Sequence, residues 1–416
     1  MKILLASIGT RGDMEPFVAV GEKLKNKGHQ VICVFPEQFR FMAEESQFEF
    51  RSLGPEFIRM LDSKDGKAAL GGSTSGLRKM MAYIRLTKLS TQINKDLIAR
   101  QCKIVNEEKP DRIIHNGKAI YPVIWGLKNP GKTIFLSPVP YIHFVKNHAH
   151  VAFNGNYGSY INKLTYRLAN FGLVQTALIS VKWLKLPERI KRKQIQKALF
   201  TNKALYTIST SLFQRPEYWN DNIKVLGYHE RNKTVSWKPD PALLDFIQKH
   251  EKILFVTFGS MTNPNPQEKS KLITDIVERN NIPAIINTAE GGLAIPDNYN
   301  SDLVCFVSQI PYDWIFPKVY AVIHHGGSGS THMSLKYGCA TMIIPHIIDQ
   351  FVWNKKVYEL GAGPLGLKID QLRTEPLEKR ILDLWTNKSY KQKALQISQQ
   401  MQSENFTEEL CGFIVS

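Results

Sequence analysis

Among its 416 residues the chain has only five cysteines, Cys33, Cys102, Cys305, Cys339 and Cys411, and no two share a CxxC spacing. That argues against zinc ligation and a disulfide framework, and a reducing cytosol fits. No stretch approaches the ~20 uninterrupted apolar residues of a membrane-spanning helix. The apolar opening, residues 1–9, runs straight into Thr10-Arg11-Gly12-Asp13 with no small-residue cleavage site, so it reads as a first strand and not a signal peptide. A cytoplasmic protein, soluble or peripheral on the inner face of a membrane, is expected. Repeats and low-complexity tracts are absent. Acids are scarce: 37 Asp plus Glu stand against 54 Lys plus Arg, a net charge of +17. Such a field attracts anionic lipid, nucleic acid and acidic ligands alike. With no zinc-finger spacing, RNP-like aromatic strand or basic tail, no nucleic-acid partner is expected.

The positive charge is uneven. Residues 163–197 hold nine Lys or Arg and one acid, interleaved with Tyr166, Phe171 and Trp183, and residues 78–103 hold seven basic residues with Asp96 the only acid. Basic stretches with aromatic residues suit an anionic membrane surface, with Trp183-Leu184 as the apolar tip, and equally suit a solvated helix face.

The length exceeds one comfortable core and favours two domains of roughly 200 residues. Strands at 2–8, 30–35 and 48–53, a helix at 15–27, a long helical region at 77–109 and a strand at 112–116 alternate as in a parallel α/β sheet. After a polar, turn-rich stretch at 229–240, a second series places strands at 253–258, 283–287, 303–307, 320–324 and 340–344. The expected division is therefore 1–228, a linker at 229–240, a second domain at 241–387 and a helical end at 388–416. Two doubly wound sheets place ligands at the carboxyl ends of their strands.

The most informative stretch is 320–364. There Val322-Ile323 lead into His324-His325-Gly326-Gly327-Ser328-Gly329-Ser330-Thr331, followed by a strand and then Asp349-Gln350. Glycines let backbone approach a ligand, and a helix start offers N–H groups and a positive dipole end to phosphate. Ser330 and Thr331 add hydroxyl donors, and His325 is placed to donate to a phosphate oxygen. A carboxylate beside an amide can chelate neighbouring sugar hydroxyls. The same residues have plainer readings: a loop that packs helix on sheet, Asp349 as a helix N-cap, and His325 as a core histidine.

At these residues the chain resembles the UDP-glycosyltransferase family, the inverting GT-B glycosyltransferases, and within it the branch of sterol glucosyltransferases and glycopeptide and macrolide enzymes. Tyr312-Asp313-Trp314-Ile315-Phe316-Pro317, the block 8–16 and the block 255–261 carry the resemblance along almost the whole chain. It implies two Rossmann-like doubly wound domains facing a central cleft, with the last helix returning to the N-terminal domain. It also implies a hexose, glucose foremost, moving from a UDP-sugar to a hydroxyl of a hydrophobic acceptor. Asp13 matches the general base of that branch, and equally caps a helix with Arg11 neutralising it; His115 and His143 are rival bases. Gly12, Gly259, Ser260, Val307, Ser308, His325, Gly327, Ser328, Gly329, Ser330, Thr331, Asp349 and Gln350 match the donor side, and His115, Tyr141 and His143 the acceptor pocket. Gly259-Ser260 is otherwise a tight turn. No cofactor and no metal is expected, since an imidazole and a helix dipole do the charge work of a cation. Val307 and Met333 stand where plant members have Trp and Glu, which leaves UDP against TDP open. A nicotinamide or flavin oxidoreductase is the rival enzyme class, but Gly9-Thr10-Arg11-Gly12-Asp13 is not GxGxxG.

Overall fold

The computed structural model describes the chain except residues 64–75, 141, 232–236, 264 and 290, and except the side chains of 76–88. Tyr141 therefore lies outside the described residues, as does part of the basic stretch 78–103. The described residues up to 231, with Glu404–Ser416, form one compact unit, and those from 237 to Ser403 form another.

The first unit is built on seven strands: β1 (Lys2–Ala6), β2 (Gln30–Phe35), β3 (Glu49–Ser52), β4 (Arg112–His115), β5 (Thr133–Ser137), β6 (Lys203–Tyr206) and β7 (Ile223–Val225). They run in the order β3-β2-β1-β4-β5-β6-β7, every pair parallel. β1 lies between β2 and β4, and its Ile3, Leu4 and Leu5 are wholly buried, as a strand covered on both faces requires. The helix Arg11–Asn26 follows, four residues earlier than expected. The helix takes in Pro16. Proline favours a helix's first turn, yet here it sits inside the helix, where it withholds the N–H that the Gly12 carbonyl would accept.

The C-terminal return is shorter than the expected 388–416. The helix Lys388–Ser403 packs in the second unit, where Ser398 Oγ donates to the Lys336 carbonyl at 2.5 Å. Only from Glu404 does the chain join the first unit. The Glu404 carboxylate accepts from the Ser209, Thr210 and Ser211 hydroxyls and the Ser211 N–H at 2.7–3.0 Å, and Leu410, Cys411 and Ile414 enter the core beside Leu5, Val18 and Phe35. The linker is also narrower than 229–240. Arg231 is buried and ion-paired with Glu15 and Glu45 in the first unit, whereas Trp237 packs 5.0 Å from Trp314 and donates to the Gln309 carbonyl in the second.

The second unit carries β8 (Leu254–Thr257), β9 (Ala284–Asn287), β10 (Val304–Val307), β11 (Ala321–His324) and β12 (Ala340–Ile343), ordered β10-β9-β8-β11-β12 and all parallel. Its core joins Val256, Ile286, Ile323 and Met342 to Ile273, Ile276 and Leu377 of flanking helices. In register, His324 stands opposite both Thr257 and Ile343, so β8, β11 and β12 end level and release three loops side by side. Among the described residues no helix is long and apolar enough to cross a membrane.

Candidate active site

The three level strand ends of the second unit bring together residues far apart in sequence. Gly259, two residues past β8, has φ +56°, and a methyl added to it would lie 2.9 Å from His325 Cε1. Only a residue without a side chain lets this turn close over the imidazole. Gly326, at φ +94°, is pressed the other way: a methyl there would lie 2.5 Å from Ile343 and 3.2 Å from Gln350 Cβ. The β8 turn, the glycine loop and the Asp-Gln loop thus form one cluster.

The adjacent histidines do different work. His324 is wholly buried; its Nδ1 accepts the Gly326 N–H at 2.9 Å and so shapes the loop. Burial pushes its imidazole down to about 3. His325 is held well below the usual histidine range by burial first, then by His324 and His346, and its Nδ1 is buried with no hydrogen-bond partner among the described residues. A neutral imidazole with an unused nitrogen is matched to a polar ligand atom. The helix Ser328–Lys336 starts just beyond, with Gly327 as N-cap, and a helix's first turn leaves N–H groups for an anion.

Not every hydroxyl of the loop is available. Thr331 is wholly buried and its Oγ1 donates to the Gly327 carbonyl at 3.0 Å, a packing role in place of the expected phosphate contact. Ser328 is buried against His332, whose Nδ1 lies 2.7 Å from the Ser328 carbonyl. Gly329 is exposed and Ser330 half-buried, so they carry the accessible part of the helix start.

Asp349 occupies the N-cap position of the helix Gln350–Glu359, yet its carboxylate makes no cap hydrogen bond. Before it, Ile348 has φ +45°, strained for a β-branched residue and characteristic of loops held for a purpose. Gln350 Oε1 accepts the backbone N–H groups of His346 (2.7 Å) and Ile347 (3.0 Å). Its carbonyl therefore ties the loop and only its amide NH₂ is left for a ligand, a narrower role than expected. β10 ends at Val307, with Ser308 directly after it, and β9 and β8 intervene before the glycine loop; the Val307 carbonyl accepts the Thr288 N–H at 2.8 Å.

Two residues of this cluster were not anticipated. The Tyr312 hydroxyl lies 2.9 Å from Thr257 Oγ1 and 3.6 Å from the added methyl at Gly259. His346 donates Nδ1–H to the Ile344 carbonyl at 2.9 Å, so its buried Nε2, with no partner among the described residues, carries a lone pair; burial holds it at about 4. Both had a signal, Tyr312 in the aromatic block 312–317 and His346 four residues before Gln350.

In the first unit, Asp13 stands in the first turn of its helix, not in a loop. Its Oδ2 accepts the Thr10 N–H at 2.8 Å, closing a capping box, and its oxygens lie 3.3 and 3.4 Å from Lys118 Nζ. Arg11 pairs with Glu15 instead, so the expected Arg11–Asp13 neutralisation is replaced by Lys118 from the β4 loop. The carboxylate remains about one-third exposed. Asn116 joins the two loops: its Nδ2 donates to Ser7 Oγ and the Ile8 carbonyl, and its Oδ1 accepts the Lys118 and Ala119 N–H groups. Gly12 is exposed, and an added methyl would touch only Thr10 Oγ1 at 3.9 Å, so nothing in this backbone demands glycine there.

The rival bases lie in the core. His115 is 3% exposed, its Nδ1 engaged with the Asn116 carbonyl, and burial pushes it down to about 4. His143 bonds Tyr206 Oη through Nδ1 at 2.7 Å within a cluster of Phe200, Tyr206 and Trp219, and burial holds it at about 4 too. Both rings are enclosed by core side chains and their Nδ1 atoms are already engaged, whereas the Asp13 carboxylate is open to solvent.

Tandem parallel α/β units, the second with a glycine loop set among buried histidines and an Asp-Gln loop, make up the GT-B class of glycosyltransferase fold. Residues 3–121 match the glycosyltransferase family 28 N-terminal domain, and residues 282–416 match the erythromycin biosynthesis protein CIII-like C-terminal domain. Two sterol 3-beta-glucosyltransferases of Arabidopsis thaliana are 26% and 28% identical over 92% of this chain, which spans 60% and 62% of their lengths. Among solved structures, the glycosyltransferase of kitacinnamycin superposes with a TM-score of 0.69 and VinC, in complex with DTDP, with 0.68; each is 14% identical, covering 100% of this chain and 98% of its own. The chain belongs to the GT-B glycosyltransferases, and the sterol 3-beta-glucosyltransferases are among the proteins it is similar to.

Proposed function

We propose that this protein transfers a hexose from a nucleoside diphosphate sugar to a hydroxyl of a lipophilic acceptor, a sterol-like lipid or natural product, with inversion. The observation that carries the reading is the neutral, buried His325 with its unused nitrogen, closed over by Gly259 and followed directly by the start of the helix Ser328–Lys336. Those neutral donors hold the diphosphate as it gains charge on leaving. Asp349 and the Gln350 amide take sugar hydroxyls, and the His346 lone pair accepts one more. The acceptor hydroxyl gives its proton to the Asp13 carboxylate, its oxygen bonds to the anomeric carbon, and the bond from that carbon to the diphosphate breaks with its electrons.

UDP-glucose is the donor this reading favours, in keeping with the names of the sterol 3-beta-glucosyltransferase relatives; VinC with DTDP makes the thymidine donor the natural comparison. The leaving group is stabilised by imidazole and helix N–H groups, so activity is expected to survive EDTA. Work at an anionic membrane surface follows from the acceptor class and the charge of +17. The test is transfer by the purified full chain from UDP-glucose and TDP-glucose to a sterol and to a panel of hydroxylated aromatic acceptors, with anomeric configuration read by NMR. A β-glucoside formed from UDP-glucose on a lipophilic hydroxyl is expected. No transfer from either donor, or an α-linked product, overturns the reading.

A further inference from the structure

The helix Ser159–Leu184 keeps one face in the first unit through Asn162, Thr165, Tyr166, Val174, Ala177 and Ser180. Away from that face it leaves large apolar side chains in water: Tyr160 is 93% exposed, and Ile161, Leu164, Leu168 and Phe171 are about half exposed. At roughly 100° per residue these five fall within about 100° of the helix circumference, so they form one ridge. Scattered exposed hydrophobes need no explanation, whereas a contiguous ridge does.

The ridge is firmly mounted. Asn162 Nδ2 donates to the Lys146 carbonyl and Asn156 Oδ1, Asn170 Nδ2 donates to the Ile142 carbonyl, and the His150 N–H donates to Thr165 Oγ1. It is also flanked by cations. Lys163 and Arg167 lie on one side of it along the same helix, both exposed. At its far end the Arg192 guanidinium stacks over the Phe171 ring at 4.5 Å, bringing exposed Lys191 and Lys193 to the ridge. The expected tip at Trp183-Leu184 is not the exposed one, since both are half-buried.

We propose that this ridge is the surface by which the protein docks on an anionic lipid bilayer, Tyr160, Ile161, Leu164, Leu168 and Phe171 entering the headgroup boundary while Lys163, Arg167 and residues 191–193 neutralise lipid phosphates. Charge complementarity selects this occupant. A second copy of a chain carrying +17 would bring like charge against like, whereas an anionic leaflet is attracted by each cation and accepts the apolar ridge. The proposal rests on the reading of a lipophilic acceptor and names the surface through which that acceptor is reached.

The test is co-sedimentation of the full chain with vesicles of phosphatidylcholine and phosphatidylglycerol, against pure phosphatidylcholine, for wild type and for Leu164→Ser/Leu168→Ser and Lys191→Glu/Lys193→Glu. Wild type is expected to bind the anionic vesicles, less at high salt, and each double variant to lose roughly tenfold or more in partitioning. The substituted side chains are exposed, so melting temperature and transfer to a water-soluble acceptor are expected to stay unchanged, which separates this proposal from that of the reaction. Wild type that ignores anionic vesicles, variants that bind as well as wild type, or a concentration-dependent dimer abolished by Leu164→Ser/Leu168→Ser would each overturn it.

Discussion

Two loops of this chain begin alike and end differently. Each leaves the carboxyl end of an interior strand in a parallel sheet, β1 or β11, passes through glycine and runs into a helix. The first opens a helix whose first turn holds a carboxylate one-third exposed and paired with an ammonium; the second starts from buried imidazoles that stay neutral. Charge is kept where water solvates it, and neutral donors are placed where an unpaired charge would cost several kcal/mol. The difference suits one loop to receiving a proton and the other to holding an anion that arrives already charged. A glycine turn at a strand end is thus a frame, and the burial of the residues it carries sets its chemistry.

The sharpest way to break the comparison is Asp13→Asn. Asparagine keeps an oxygen for the Thr10 N–H, so the cap survives while the basic carboxylate is lost. Turnover should fall by about 10²–10⁴-fold with nucleotide-sugar affinity unchanged. If turnover stays within about tenfold of wild type, Asp13 is a cap alone.

Next in size is the split between the paired histidines. His325→Ala should cost about 10²–10³-fold in turnover and weaken UDP binding as well. His324→Ala should act on stability, because His324 is wholly buried and its Nδ1 takes the Gly326 N–H. A stably folded but inactive His324→Ala beside an active His325→Ala would reverse the assignment.

Asp349→Ala should lower kcat/KM by about 2–3 kcal/mol with UDP affinity intact, as expected for a lost bond to a polar group of the sugar. Gln350→Ala should additionally destabilise the protein, since its Oε1 serves two backbone N–H groups. Gln350→Glu keeps acceptor oxygens for those groups while removing the amide hydrogens. It should therefore lose transfer with a smaller loss of melting temperature than Gln350→Ala. Equal weakening of UDP binding in all three would mean that this loop holds the nucleotide.

The architecture was legible because buried parallel strands are written as apolar runs, such as 254–256 and 321–323, with glycine close behind. The loop at 324–331 and the Asp-Gln pair were legible as local patterns. Long-range pairing was not. Nothing near Asp13 announces Lys118, 105 residues away, or that Arg11 turns to Glu15. Hydroxyls read alike in sequence, yet burial commits Thr331 to its own helix and leaves Ser330 accessible. The helix Arg11–Asn26 begins four residues before the expected start and takes in Pro16, because proline's usual place in the first turn is a preference that a single helix can override.

The smallest expected effect concerns acid stability, and it separates the two units. Burial holds His324 at about 3, His346 at about 4 and His325 well below its ordinary value, three histidines around one loop cluster. The first unit has His115 and His143, both at about 4, and His29, which is lowered by burial and then by the N-terminal ammonium but is only partly buried. Unfolded, each titrates near 6.5, so between about pH 6.5 and pH 4 the unfolded chain binds more protons than the folded one. Stability is therefore full above about pH 6.5 and is lost as pH falls, at up to about 1.4 kcal/mol per pH unit for each histidine. The second unit should lose stability more steeply. His346→Phe removes one of its three titrations and places a ring beside Phe258, which His346 already meets edge-on at 4.9 Å. Whatever its stability at pH 7, the variant should lose about 2 kcal/mol less than wild type between pH 7 and pH 5, a difference of about 4–8 °C in the second unit's transition by calorimetry. If the melting temperatures of wild type and variant fall in parallel over that range, His346 is not held neutral by burial, and acid sensitivity ceases to distinguish the two units.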